Sequence, residues 1–139
     1  MLKALSLKFP ECELHGFDIS PEAVKQARVN LPKGNFQVAD MFMELPYKKE
    51  FDLVITNAVL IYADTDRIES VLREIKRVGK SFIFVEFNAD KDQVVDGYYV
   101  YNYPKLLEEI GFKNIKIEKI TNWEESNWKE FGTIITAEK

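Results

Sequence analysis

Four positions in this 139-residue chain have the side chains and the setting to hold a nucleoside. Asp18, Asp40, Asn57 and the triplet Glu86-Phe87-Asn88 each close a short apolar run that reads as a β-strand. In open α/β sheets, ligands lie in the crevice beyond the carboxyl ends of the strands. An acid closing a strand just before a helix can accept from both hydroxyls of a ribose, with charge-assisted bonds that contribute about 1.5–3 kcal/mol each. A second acid one strand further out can accept from an adenine amino group. Each has a structural alternative: Asp18 can cap the turn before Pro21, and Asp40 can close a local turn on its own backbone. The repetition of polar strand ends at Asp18, Asp40 and Asn57 favours the nucleoside reading.

The elements that would position these residues alternate in type. Residues 13–19 read as a strand, and Ser20-Pro21-Glu22 opens a helix with a capping serine, a proline at the first helical position and an early acid. That helix stops before Pro32-Lys33-Gly34. Residues 36–39 form a second strand ending at Asp40. Phe51 to Thr56 is nearly continuous in apolar and β-branched residues, which predicts a strand covered on both faces. Ile68, Val71, Leu72, Ile75 and Val78 recur at helical spacing, and Gly79 is placed to end that helix in the left-handed conformation. Residues 81–87 read as a strand, and 88–103 as a polar and tyrosine-rich stretch without a period. A short helix, Pro104 to Ile110, stops at Gly111. Two closing strands, 115–121 and 132–137, are joined by a segment too short for a crossover, which predicts antiparallel pairing. The order predicts a doubly wound α/β sheet in a single domain over 1–139.

Composition narrows the function. Net charge is −4, with 19 basic and 23 acidic residues, which does not indicate a nucleic-acid surface. One cysteine excludes an internal disulfide, and one histidine excludes a Cys/His zinc site, so no metal is expected. No apolar run reaches the ~18 residues of a membrane helix, and Met1 to Leu5 does not resemble a signal peptide, so the expected compartment is the cytoplasm. His15 reads as a strand histidine and Ser20 as a helix cap, with no Gly-x-Ser-x-Gly elbow in the chain. Tyr98, Tyr99, Tyr101 and Tyr103 either line an acceptor pocket or cover a sheet edge. Trp123 and Trp128 are expected to pack at an edge or an interface. The charges from Glu69 to Arg77 read as a solvated helix face with (i, i+4) pairs.

The run Glu13-Leu-His-Gly-Phe-Asp18-Ile-Ser-Pro-Glu-Ala-Val-Lys-Gln-Ala-Arg28 resembles the acidic-loop segment of class I S-adenosylmethionine-dependent methyltransferases. Asn35 to Asp40 resembles their next strand, and Phe51-Asp-Leu-Val-Ile-Thr-Asn57-Ala-Val-Leu60 the fourth strand and its loop. Residues 79–88, Leu106 to Phe112 and the closing strands are similar to the remainder. The resemblance implies a Rossmann-like sheet, mostly parallel with an antiparallel C-terminal strand pair, and S-adenosyl-L-methionine as cofactor. It implies Asp18 at the cofactor ribose, Ile19 against the adenine, and Asp40 with the Met41-Phe42 backbone at the adenine edge. Asn57 and Ala58 would lie beside the methionine portion. On the acceptor side it leaves Tyr62, Glu86 and Asn88; Tyr62 stands where many relatives carry a histidine, so no role of that histidine transfers. The catalytic residues are not named by it.

Against the family pattern, the chain has no first strand and no glycine-rich loop, whose amides would meet the methionine moiety at a helix N-terminus. Residues 1–10 look instead like the helix that follows that loop. A central strand burying about five apolar side chains at 1.5–3 kcal/mol each contributes on the order of 8–15 kcal/mol, as much as a domain's net stability. The expectation is therefore one of three. The flanking strands pair directly, a homodimer or partner chain fills the gap, or the chain is the N-terminally truncated form of a longer protein, the alternative favoured here. The expected function is S-adenosylmethionine-dependent methyl transfer to an unidentified small-molecule acceptor, weak or absent in this form. The alternative is a non-catalytic partner or regulatory subunit of a complete methyltransferase. A nicotinamide dehydrogenase is disfavoured by the missing Gly-x-Gly-x-x-Gly.

Overall fold

A computed structural model describes residues 2–139 and divides them into two compact units, residues 2–46 and 47–139. The first unit contains helix α1 (Leu2–Lys8), strand β1 (His15–Asp18), helix α2 (Pro21–Asn30) and strand β2 (Asn35–Val38). β1 and β2 pair in parallel, with His15 opposite Asn35 and Asp18 opposite Val38. The crossover between them is α2, which begins as the residue types require: Ser20 Oγ accepts from the Ala23 amide at 3.3 Å and Pro21 occupies the first turn. From the last turn of α2 the Arg28 guanidinium donates twice to the Phe36 carbonyl, at 2.7 and 3.1 Å, tying helix to strand. Val24, Phe36 and Leu45 are the buried apolar residues of this unit.

The second unit is built on a four-stranded sheet in the order β3 (Phe51–Asn57), β4 (Gly79–Phe87), β8 (Gly132–Glu138), β7 (Lys113–Lys119). β3 and β4 are parallel and joined over helix α3 (Ile68–Val78). Strand β8 lies between β4 and β7 and runs antiparallel to both, as expected of the closing pair. The helical spacing of the α3 apolar residues has the predicted consequence: Ile68, Val71, Leu72, Ile75 and Val78 are all buried, at a gain of about 1.5–3 kcal/mol per side chain. Phe82 and Phe84 on β4 and Ile135 and Ala137 on β8 form the sheet side of that core. Helix α4 (Tyr103–Ile110) adds Leu107 and Ile110 and ends at Gly111 in the left-handed conformation (φ 88°), again as the residue type predicts.

Several expectations are corrected. Gly79 does not cap α3 in the left-handed region; it is extended (φ −128°, ψ 161°) and starts β4. A Cβ there would stand 2.5 Å from Phe82 Cε1 and 2.6 Å from Val54 Cγ2, so close packing, not backbone freedom, selects the glycine. The stretch after Phe87 contains a hairpin, β5 (Gln93–Val95) and β6 (Tyr98–Val100). Its two-residue turn, Asp96-Gly97, has both φ angles positive (51° and 84°), the Asp-Gly turn that suits strand twist. The connection after β7 holds a short helix, α5 (Ser126–Phe131). Strand β3 is not covered on both faces: Leu53 is exposed, as is Ile134 of β8. Within each unit, among the described residues, β1 pairs with β2 and β3 with β4. None of those residues belongs to a helix long and apolar enough to cross a membrane.

Candidate functional site

In the first unit, Asp18 ends β1, is exposed, and accepts from the Ser20 amide through Oδ1 at 2.9 Å. The turn-capping role and a ligand role are therefore compatible: one oxygen orders the turn and the carboxylate still faces solvent. Ile19 follows it with 67% of its surface exposed. An exposed isoleucine beside an exposed acid suits an apolar ring plane next to a diol, which is what an adenosine presents. Asp40 is half-buried just beyond β2 and accepts from the Phe42 amide through Oδ1 at 2.9 Å. Its carbonyl accepts from Met43 at 3.1 Å, so residues 40–43 form a tight turn with Met41 and Phe42 at its crown. The Ala39 amide donates to the Asp18 carbonyl at 3.1 Å, which extends the β1–β2 ladder to Asp40's neighbour.

In the second unit, Asn57 is exposed at the end of β3, and Ala58 turns the chain with φ 53°. An L-residue adopts that angle at a cost of about 1 kcal/mol. The Ala58 amide donates to the Val85 carbonyl at 2.9 Å, holding the turn against β4. A 3-10 turn, Leu60–Tyr62, follows.

Glu86, expected on the acceptor side, has a wholly buried side chain. Its two carboxylate oxygens accept from the Val59 amide at 3.3 Å and the Leu60 amide at 3.2 Å, at the start of the 3-10 turn. Burial pushes the carboxyl up to about 7, with the Thr56 hydroxyl and the amides of Val59, Leu60 and Ile61 acting in the opposite direction. Tyr103 lies near it, and burial followed by the Glu86 charge holds its hydroxyl well above the usual phenol range. Glu86 thus sets the path of the loop after β3. Asn88 is likewise engaged with the chain: its Oδ1 accepts from the Tyr103 amide at 3.0 Å at the start of α4.

Beyond the carboxyl ends of β3 and β4 the second unit opens a cleft of about 440 Å³, bounded by Ala58, Ile61, Tyr62, Phe87, Tyr98 and Trp128, with Glu125 to Asn127 on its rim. Tyr62 and Tyr98 meet edge to face with ring centroids 5.7 Å apart, and Phe87 meets Trp128 at 4.7 Å. Sequence reasoning named Tyr62, included Phe87 in the strand-end triplet and allowed for Tyr98, but did not place Ile61 or Trp128 here. A polar segment conceals the α5 helix that carries Trp128, and only the fold of 122–131 brings that ring to the end of β4. Of the other three tyrosines of that stretch, Tyr99 is half-buried and stacks on Tyr101 at 6.2 Å, while Tyr101 and Tyr103 are buried, and the Tyr101 hydroxyl donates to the Ala63 carbonyl at 2.5 Å. On α3 the expected (i, i+4) pairing forms between Arg73 and Glu69 at 2.6 Å, Arg77 pairs with Glu74 at (i, i+3) and 2.5 Å, and Lys76 donates to the carbonyls of Ile110 and Gly111 at the end of α4.

Comparison with known proteins agrees with this architecture. A family model described as "Methyltransferase domain" matches residues 1–136. Among solved structures, the chain is similar to a candidate O-methyltransferase from Nostoc punctiforme PCC 73102, at 19% identity and a TM-score of 0.75. That match covers 99% of this chain and 47% of the Nostoc chain. A TehB-like SAM-dependent methyltransferase from Corynebacterium glutamicum matches at 18% identity and a TM-score of 0.67, over 91% of this chain and 68% of that one. The O-methyltransferase of a trans-AT PKS multienzyme from Brevibacillus brevis, solved with S-adenosyl-L-homocysteine, matches at 9% identity and 0.73, over 97% and 61%. The chain thus spans about half the length of the first of these. The order and direction of its strands and the match over nearly all of its residues lead to one conclusion: the chain belongs to the methyltransferase-domain family and has the class I, S-adenosylmethionine-dependent methyltransferase fold.

Proposed function

We propose that the protein takes part in S-adenosylmethionine-dependent methyl transfer to a small-molecule acceptor. The observation that carries this reading is the pair of polar strand ends in the first unit, Asp18 with exposed Ile19 and Asp40 with its Met41-Phe42 turn. Asp18 would accept from the ribose hydroxyls, Ile19 would lie on the adenine, and Asp40 with the backbone at Met41 and Phe42 would meet the adenine edge. Asn57 and Ala58 would serve the methionine portion. When bound, the cofactor supplies an activated methyl group, so the chain needs no nucleophile of its own and contributes by positioning. Glu86 serves that task indirectly, by holding the amides of the loop that carries Ala58 and Tyr62.

These 139 residues hold no Gly-x-Gly-x-x-Gly run, so we expect the chain alone to grip the cofactor weakly. Calorimetric titration of S-adenosylhomocysteine into the chain, and into the natural reading frame that contains it, tests the reading. Binding by either supports it, and binding by neither overturns it. Native mass measurement tests the second reading, a non-catalytic role beside a complete methyltransferase: a stable hetero-complex, with no cofactor bound to this chain, would establish that role instead.

A further inference from the structure

The cleft beyond β3 and β4 has a composition that restricts what it can hold. Its walls combine aromatic and aliphatic side chains with the polar Ser126 and Asn127, and the one charged side chain on its lining is the carboxylate of Glu125; none of its lining residues is Lys, Arg or His. Trp128 sits between two further rings, edge to face with Phe87 at 4.7 Å and tilted against Trp123 at 5.3 Å. Tyr62 is 58% exposed, yet its ring is held in place edge-on against Tyr98. The volume of about 440 Å³ suits a molecule of one or two rings. Flat rings gain from offset or edge contact with such walls, and a positive charge gains further from the ring faces and from Glu125. An anion meets no cationic side chain among these lining residues and would face the Glu125 carboxylate.

We propose that this cleft binds the acceptor as a planar aromatic ring system, neutral or cationic, and excludes anionic acceptors. The inference deepens the methyltransferase reading and rests on it for the word acceptor; the binding itself needs no cofactor. Three probes that share one ring system separate the alternatives: 2-naphthylmethanol, trimethyl(2-naphthylmethyl)ammonium and 2-naphthoate. Each is titrated calorimetrically into the full chain without cofactor, and the fluorescence of Trp123 and Trp128, the chain's two tryptophans, reports occupancy at the same place. The neutral and cationic probes should bind, with the naphthoate at least tenfold weaker. Tyr62→Leu, at a largely exposed position, should weaken both binders about tenfold, with Tyr62→Phe restoring them. Glu125→Gln should weaken the cation and leave the neutral probe unchanged. Equal binding of all three probes, or affinities unmoved by Tyr62→Leu, would overturn the proposal. Ring binding without any binding of S-adenosylhomocysteine by the chain or its natural reading frame would overturn the cofactor reading and leave the ring selectivity standing. The converse result would overturn the acceptor class alone.

Discussion

At the scale of single residues, three acids at strand ends take different parts because the surrounding chain treats their charges differently. Asp18 stays exposed and keeps an oxygen for solvent, whereas Glu86 has its carboxylate buried against two amides. Replacing Asp18 by Asn should weaken S-adenosylhomocysteine binding roughly ten- to hundredfold, the loss expected for one or two charge-assisted bonds. Asp40→Asn should have a smaller effect, because the Phe42 amide can still be accepted by the remaining carbonyl oxygen. Calorimetry on the binding form of the chain measures both, and unchanged affinity for Asp18→Asn would remove that residue from the site. Glu86 makes a prediction about pH. Its carboxyl lies near 4.5 when the chain is unfolded and near 7 when folded, so between these values the folded state holds more protons. Stability from this group is therefore fully present below about pH 4.5, declines as pH rises to about 7, and is level above that. The decline is on the order of 3 kcal/mol. Urea unfolding of the Glu86→Gln variant across that range should show the slope reduced, and an unchanged slope would assign it to another group.

At the scale of elements, local residue types explain where helices start and strands turn, and packing explains the exceptions. Ser20-Pro21 and Asn102 open helices as their chemistry predicts, with Asn102 Oδ1 accepting from the Lys105 amide at 3.1 Å. Gly111 closes a helix with positive φ. Gly79 occupies a similar place in the sequence, at the end of a helix, and behaves differently because Val54 and the Phe82 ring fill the space where its Cβ would be. Gly79→Ala should accordingly destabilise the chain by about 1–3 kcal/mol through overpacking. Gly111→Ala should cost about 1 kcal/mol through its backbone angle. Chemical denaturation of the two variants tests the distinction, which fails if Gly79→Ala is neutral. The α5 helix and the Asp96-Gly97 hairpin were hidden for a related reason: each is short, and its apolar residues are held by contacts remote in sequence. Trp128 packs on Phe87, and Tyr98 on Tyr62.

At the scale of the whole molecule, one family pattern runs through two compact units with unequal cores. The first unit buries Val24, Phe36 and Leu45, whereas the second buries the apolar face of α3, the inner residues of β4 and β8 and the aromatic cluster around Phe87. Opening free energy follows buried apolar contact, so amides of β1 and β2 should exchange with deuterium faster than those of β4 and β8. Hydrogen-exchange mass spectrometry checks this, and equal protection in the two sheets would contradict it. By itself, the sequence determined the alternation of elements, the α/β class, the helix caps and the polar strand ends, because these depend on residue type and on spacing along one strand or helix. Tertiary structure alone decided that Glu86 is buried while Asp18 is exposed, that Gly79 starts a strand, and that Tyr62, Phe87, Tyr98 and Trp128 share a cleft. Those outcomes depend on which distant side chains compete for the same space and which amides reach a buried charge, and neither is written in local spacing.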